Sequence, residues 1–151
     1  MARKESLYLD TSVISAYYDE REPEKQEQTW EFWEKLRDYE VIISRLTIDE
    51  IERTPQVQQR EKMMSLIEGF EVLEVIPEGE RLAQEYVDQG IIPRKLMNDA
   101  LQIAFATLRE ADYLVSWNFR HIVKIKTKKG VNAINTLQGY KTVEIISPLE
   151  I

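Results

Sequence analysis

Asp10, Glu50, Asp99 and Asn118 are the residues whose types and surroundings could do chemistry in this chain. Asp10 ends the apolar run Leu7-Tyr8-Leu9, and Asn118 follows Leu114-Val115-Ser116-Trp117. Glu50 lies in Ser44-Arg45-Leu46-Thr47-Ile48-Asp49-Glu50-Ile51, just past the apolar run Val41-Ile42-Ile43, and Asp99 opens the apolar stretch Ala100-Leu101 after Met97-Asn98. Carboxylates gathered at one place repel one another and are costly when dry and unpaired. A hard cation removes that cost. With no cysteine and one histidine in the chain, an oxygen-only donor set favours Mg²⁺ or Mn²⁺ over Zn²⁺. Such an ion activates water and stabilises in-line attack on phosphorus, so the expected chemistry is metal-dependent phosphodiester hydrolysis.

Each acid also has a plain structural role open to it. Asp10 could cap a helix. Asp99 could favour a helix dipole from the first turn. Glu50 could pair with Arg53 on the surface, and Asp49 competes with it as the acid of that segment. What separates the two readings is whether the fold brings these positions together.

The elements that would do so alternate between strand and helix. Ser6–Leu9, Val41–Ser44, Glu71–Val75, Tyr113–Ser116 and Thr142–Ile146 read as five short strands. Asp10 is then the first residue past the first strand. Thr11–Tyr18 reads as a helix capped by Thr11 or Ser12, and Asp19–Lys25, with Pro23, as a loop. Gln26–Tyr39 has helical spacing, with Trp30 and Trp33 as core or interface anchors. Arg45–Arg53 reads as a short helix stopped by Thr54-Pro55, and Gln56–Gly69 as another, with Val57, Met64 and Ile67 inward. Pro77 opens a helix through Val87. Leu96–Ala111 is apolar enough to be buried on more than one side. Trp117–Lys129 reads as a loop with a short helical piece, followed by a helix over Val131–Leu137 that Gly139 ends. Apolar strands separated by helices predict a parallel sheet covered on both faces, a single-domain three-layer α/β/α sandwich over residues 1–151. Right-handed crossovers place all strand C-termini along one edge, where open α/β sheets bind ligands.

Bulk properties agree with one soluble domain. The 151 residues are 43% hydrophobic and 31% charged, with five Gly and five Pro, unlike a disordered or low-complexity chain. The absence of cysteine suits a reducing cytoplasm, no signal-peptide apolar region follows Met1-Ala2-Arg3-Lys4-Glu5, and no apolar run approaches a membrane span. Cytoplasmic location is therefore expected. A net charge of −7 argues against a protein that only coats nucleic acid, and confines positive charge to patches.

The ordered set Leu7-Tyr8-Leu9-Asp10-Thr11-Ser12, Ser44 to Ile51, Asn98-Asp99-Ala100-Leu101-Gln102-Ile103-Ala104 and Asp112-Tyr113-Leu114-Val115-Ser116-Trp117-Asn118 resembles PIN-domain ribonucleases. Many of these are the toxin subunits of bacterial toxin–antitoxin pairs of the VapC type. The resemblance implies a PIN-like five-stranded parallel sheet, an acidic pocket for Mg²⁺ or Mn²⁺, and RNA as substrate. It implies Asp10 and Asp99 as direct metal ligands, Glu50 reaching the metal through water, and Thr11 and Ser116 orienting ligands or water from behind. Asn118 departs from the Asp of many relatives, though a subgroup shares Trp117-Asn118-Phe119. An amide oxygen can coordinate a metal but brings no charge, so a catalytically weak RNA- or protein-binding module is the alternative.

Four further features stand beside the acids. His121 reads as a residue tying down its loop rather than a general base, since metal-bound water needs none. Lys124, Lys126, Lys128 and Lys129 form the most basic stretch, either a solvated loop or a phosphate-contacting rim; Arg94 and Lys95 are a second candidate. Tyr17, Tyr18, Trp30, Trp33 and Tyr39 could line a groove for an antitoxin protein or a homodimer interface. A haloacid-dehalogenase-type phosphatase also has an Asp after its first strand, but that chemistry wants a second Asp where Ser12 stands.

Overall fold

The computed structural model describes residues 3–151; Met1 and Ala2 of the charged N-terminal run lie outside the described residues. Strands β1 (Ser6–Leu9), β2 (Glu40–Ser44), β3 (Glu71–Leu73), β4 (Tyr113–Val115) and β5 (Glu144–Ile146) form one sheet in the order β3-β2-β1-β4-β5. All four pairings are parallel. A parallel sheet needs both faces covered, which is why its strands read as continuous apolar runs. Leu7, Tyr8 and Leu9 on the central strand have no exposed surface.

Strand alternation divides the core in two. Tyr8, Ile42, Leu114 and Ile145 face one cluster, built with helices α5 (Pro77–Asp88), α6 (Met97–Leu108) and α7 (Ile125–Leu137). Leu7, Leu9, Ile43, Val115 and Ile146 face the other, built with α1 (Thr11–Tyr17), α2 (Pro23–Glu34), α3 (Arg45–Glu52) and α4 (Val57–Leu66). The result is the expected three-layer α/β/α arrangement. Chain order moves outward from β1 through β2 to β3, then crosses to the other side of β1 for β4 and β5. The reversal falls between β1 and β4, the place where such sheets leave a crevice at their carboxyl ends. Among the described residues no helix is long and apolar enough to cross a membrane.

Several expectations need correction. Asp10, not Thr11 or Ser12, occupies the N-cap position of α1, and its side chain makes no capping hydrogen bond. Pro23 is not in a loop; it sits in the first turn of α2, where its missing N–H costs nothing. The α2 helix ends at Glu34, and Leu36–Asp38 is a separate 3₁₀ turn. Its buried face is Thr29 and Phe32, so Trp30 points outward, 45% exposed, with its indole N–H on the Tyr17 carbonyl at 2.9 Å. Trp33 is half-buried between Tyr17 and Phe70, with ring centroids 5.2 and 6.0 Å away. Tyr17 and Tyr18 are half-buried. Of the residues expected inward around α4, Ile67 is buried and Met64 half-buried as expected, but Val57 is exposed, and Met63 is buried as well. The largest change is at the basic run: α7 begins at Ile125, so Lys126, Lys128 and Lys129 ride its first turns instead of a loop.

One contact ties the second layer to the strand edge. The buried Trp117 indole N–H donates to Thr29 Oγ1 at 2.9 Å, joining α2 to the segment after β4. Thr29→Val keeps the shape but leaves that buried donor without a partner. We expect a loss of about 1–3 kcal/mol, read as a lower urea midpoint with an unchanged slope.

Candidate active site

The carboxyl edge of the sheet collects three acids from three different elements. Asp10 follows β1, and its backbone N–H donates to Val115 O of β4 at 3.0 Å, extending the central pairing by one bond. This fixes Asp10 beside Ser116. Ser116 Oγ and Ser12 Oγ each donate to Asp10 Oδ2 at 2.7 Å. The two hydroxyls are themselves held: the Trp117 N–H donates to Ser12 Oγ at 3.0 Å, and the Asn118 N–H to Ser116 Oγ at 2.9 Å.

Asp99 stands in the first turn of α6 and Glu50 in α3. Burial pushes the Asp99 carboxyl up to about 6, and the charges of Asp10 and Glu50 add to the rise. Glu50 is raised by burial and then by the Asp10 charge. Asp10 is raised by burial, against the opposing hydroxyls of Ser116 and Ser12 and the nearby amides of Thr11 and Ser12. Those amides favour the anion without closing a capping bond. The three acids therefore share one electrostatic neighbourhood, in which each raises the cost of ionising another. Of the structural alternatives, the Glu50–Arg53 ion pair does not form among the described residues; Arg53 acts on Glu50 only as a distant, minor charge. Asp49 is engaged elsewhere, 3.7 Å from Arg45.

Asn118 joins this group as a donor. Its Nδ2 lies 3.2 Å from Asp99 Oδ2, while its Oδ1 accepts the His121 N–H at 2.9 Å. The amide oxygen is thus spent on its own loop, and the amide nitrogen offsets the crowding of negative charge where an Asp would add to it. His121 serves that loop through its backbone, and Thr127 Oγ1 donates to its carbonyl at 2.8 Å. Its ring is held below the usual histidine range by partial burial and then by the cations of Arg120, Lys124 and Lys95. These cations form a positive rim on the Asn118 side. Arg94 instead contacts Asp88 at 3.4 Å. Lys126 and Lys129 are exposed on α7, and Lys124 and Lys128 are half-buried.

The donor set suits a hard divalent ion: carboxylate and hydroxyl oxygens, excess negative charge, and no thiolate. Asp10, Asp99 and Glu50 are the residues that could hold it. Among the described residues no three acids or imidazoles stand close enough to enclose an ion without moving. The cavity of about 650 Å³ near Glu22, Trp117, Phe119 and Leu149 contains none of the three acids. The carboxylate edge, unlike this hollow, combines buried, mutually perturbed acids.

Residues beyond the sequence-derived set also belong to the site. Ser12 holds Asp10 directly, and Thr47, Gln102, Tyr8 and Ser44 lie behind Glu50. Gln102 carried a signal: it is the one polar residue in Ala100-Leu101-Gln102-Ile103-Ala104-Phe105-Ala106, and a lone amide in such a run needs a buried partner.

A family model described as PIN domain matches residues 7–125. No curated protein matches the chain. Among solved structures, VapBC2 from Rickettsia felis, bound to a DNA fragment from their promoter, is similar over 94% of this chain and 98% of that chain, with a TM-score of 0.59 and 16% identity. VapC20 of Mycobacterium tuberculosis, a sarcin–ricin loop cleaving toxin, is similar over 76% of this chain and 92% of that chain, with a TM-score of 0.60 and 15% identity. At these identities the likeness is one of fold.

The raised carboxyls make a stability prediction. The Asp99 carboxyl titrates near 6 in the folded chain against an ordinary 3.8. Between those values the folded state holds the proton that the unfolded state has lost, so its stabilising contribution is full below about 4 and is lost as pH rises through 6. Asp99→Asn should therefore raise the melting temperature in excess chelator at pH 7. The gain should vanish at pH 4, as followed by scanning calorimetry.

Proposed function

This chain belongs to the PIN domain family, and from that premise we propose that it is a divalent-metal-dependent endoribonuclease, the toxin of a toxin–antitoxin pair. The observation that carries this reading is the set of three desolvated, mutually repelling carboxylates at the switch point of the sheet. Such a set is unfavourable by itself and becomes favourable around Mg²⁺ or Mn²⁺. When bound, the ion supplies an activated water and neutralises charge developing on the phosphoryl oxygens. Asp10 and Asp99 would hold it directly, with Glu50 completing the site from α3. Ser12 and Ser116 keep Asp10 in one orientation, and Asn118 does the same for Asp99. Thr11 contributes behind the acids, through its hydroxyl contact with Thr47 at 3.0 Å.

RNA as substrate is supported by the family and by the fold shared with VapC20, a toxin that cleaves the sarcin–ricin loop. The rim of Lys95, Arg120 and Lys124, continued by Lys126 and Lys128, would contact backbone phosphates on the Asn118 side. Arg94 could join only by leaving Asp88. A protein partner of the antitoxin kind is supported by the fold shared with VapBC2. We read residues 1–151 as one PIN-like domain acting in the cytoplasm, with a homodimer as a further expectation. The non-catalytic binding module is favoured only by Asn118, whose oxygen is turned away from the acids.

RNA cleavage should need Mg²⁺ or Mn²⁺ and stop in excess chelator. Asp99→Asn should lower kcat by more than the roughly 100-fold that changes behind a metal ligand can reach. Cleavage that survives both treatments removes the nuclease assignment from this site. Mn²⁺ binding without any cleavage favours the binding module.

A further inference from the structure

Behind Glu50 lies a buried polar chain that the nuclease reading does not by itself use. Gln102 sits one turn after Asp99 on α6 and is 1% exposed. Its Nε2 is 3.1 Å from Thr11 Oγ1, 3.3 Å from Thr47 Oγ1 and 3.4 Å from Glu50 Oε1. Its Oε1 meets the hydroxyl of Tyr8, which also lies 2.7 Å from Ser44 Oγ. Tyr8, Ser44 and Thr47 have no exposed surface.

The polarity of this chain follows from donor counting. An amide can be turned either way, and its neighbours decide. If Oε1 faced Glu50, two acceptor oxygens would meet in a buried place. The carboxylate therefore requires Nε2 on its side, which puts Oε1 against Tyr8. Oε1 only accepts, so the single Tyr8 proton goes to it, and the Ser44 hydroxyl supplies the remaining contact to the Tyr8 oxygen. Tyr8 also shares a strand face with Asp10, two residues on. One rigid chain thus links the element carrying Asp10, the helix carrying Asp99 and the helix carrying Glu50.

We propose that Gln102, with its amide polarity set by Tyr8, is a positioning residue for the metal-dependent reaction: it holds the Glu50 carboxylate toward Asp10 and Asp99. This rests on the nuclease reading of the site. Side chains behind metal ligands typically change affinity or activity by roughly 10–100-fold when removed.

The test is a double-mutant cycle between Gln102→Met, which keeps length and shape but not the donors, and Glu50→Gln. Mn²⁺ binding to the protein alone, by calorimetry, is the main readout, with kcat and KM for RNA beside it. Gln102→Met should weaken Mn²⁺ binding and lower kcat by roughly tenfold or more with KM for RNA unchanged, and should do nothing further in the Glu50→Gln background. Tyr8→Phe, which frees the amide to turn, should give the same Glu50-dependent loss and serves if Gln102→Met does not fold. An equal loss with and without Glu50, or no loss with Glu50 present, overturns the positioning role alone. If Glu50→Gln by itself leaves Mn²⁺ binding and cleavage intact, the reading of the site fails as well.

Discussion

The structure depends on one electrostatic constraint: three wholly or partly buried carboxylates at the edge of a parallel sheet perturb one another, and none is in a salt bridge among the described residues. Asp10 is nearly buried, and Asp99 and Glu50 are each raised by burial first and by a neighbouring acid second. A fold does not gather such groups for stability, because desolvation and repulsion both oppose it. The surrounding polar side chains are arranged around that cost. Two serine hydroxyls hold Asp10, one asparagine amide faces Asp99, and one glutamine amide faces Glu50. Each carboxylate has a neutral donor and none has a salt-bridge partner among the described residues; under the proposed function a divalent ion would be the counter-charge.

The position of this cluster follows from topology. β1 and β4 are hydrogen-bonded neighbours in space but far apart in sequence, with the whole β2–β3 half of the chain between them. The crossover reverses direction between them, the place where open α/β sheets present their functional edge, and there Asp10, Ser12, Ser116 and Trp117 are joined by hydrogen bonds. The helices fill in the rest. The first turn of α6 brings Asp99 from one layer, and α3 brings Glu50 from the edge of β2. The cations Arg120, Lys124 and Lys95 lie to one side, around His121.

Much of this is legible in the chain. Buried parallel strands leave apolar runs such as Leu7-Tyr8-Leu9 and Val41-Ile42-Ile43, and the residue after each run locates the functional edge. Glu50 is separable from Asp49 only in three dimensions, since the two are adjacent and the sequence does not say which faces Asp10. Helix starts were harder. Lys126, Lys128 and Lys129 disfavour the positive end of a helix dipole, so the run looks like a loop, yet packing of Val131 and Ile134 extends α7 back through it. Val57 shows the same limit: apolar character alone put it inward, whereas the register of α4 buries Met63, and of the two roles open to Trp30 the core one goes to Phe32. The donors around the acids were less visible: Thr47 and Gln102 meet partners distant in sequence, and Ser12 holds the nearby Asp10 while also accepting from Trp117. Asn118 looked like a weakened ligand; in place, it is a donor to Asp99 and the anchor of its own loop.

The most direct measurement is a crystal structure of the protein soaked in Mn²⁺, with anomalous scattering to locate the ion. The account predicts a Mn²⁺ peak coordinated by Asp10 and Asp99, with Glu50 drawn toward it and the Asn118 amide still turned to Asp99. A map with no peak at saturating Mn²⁺, or with the ion bound away from these carboxylates, would contradict it.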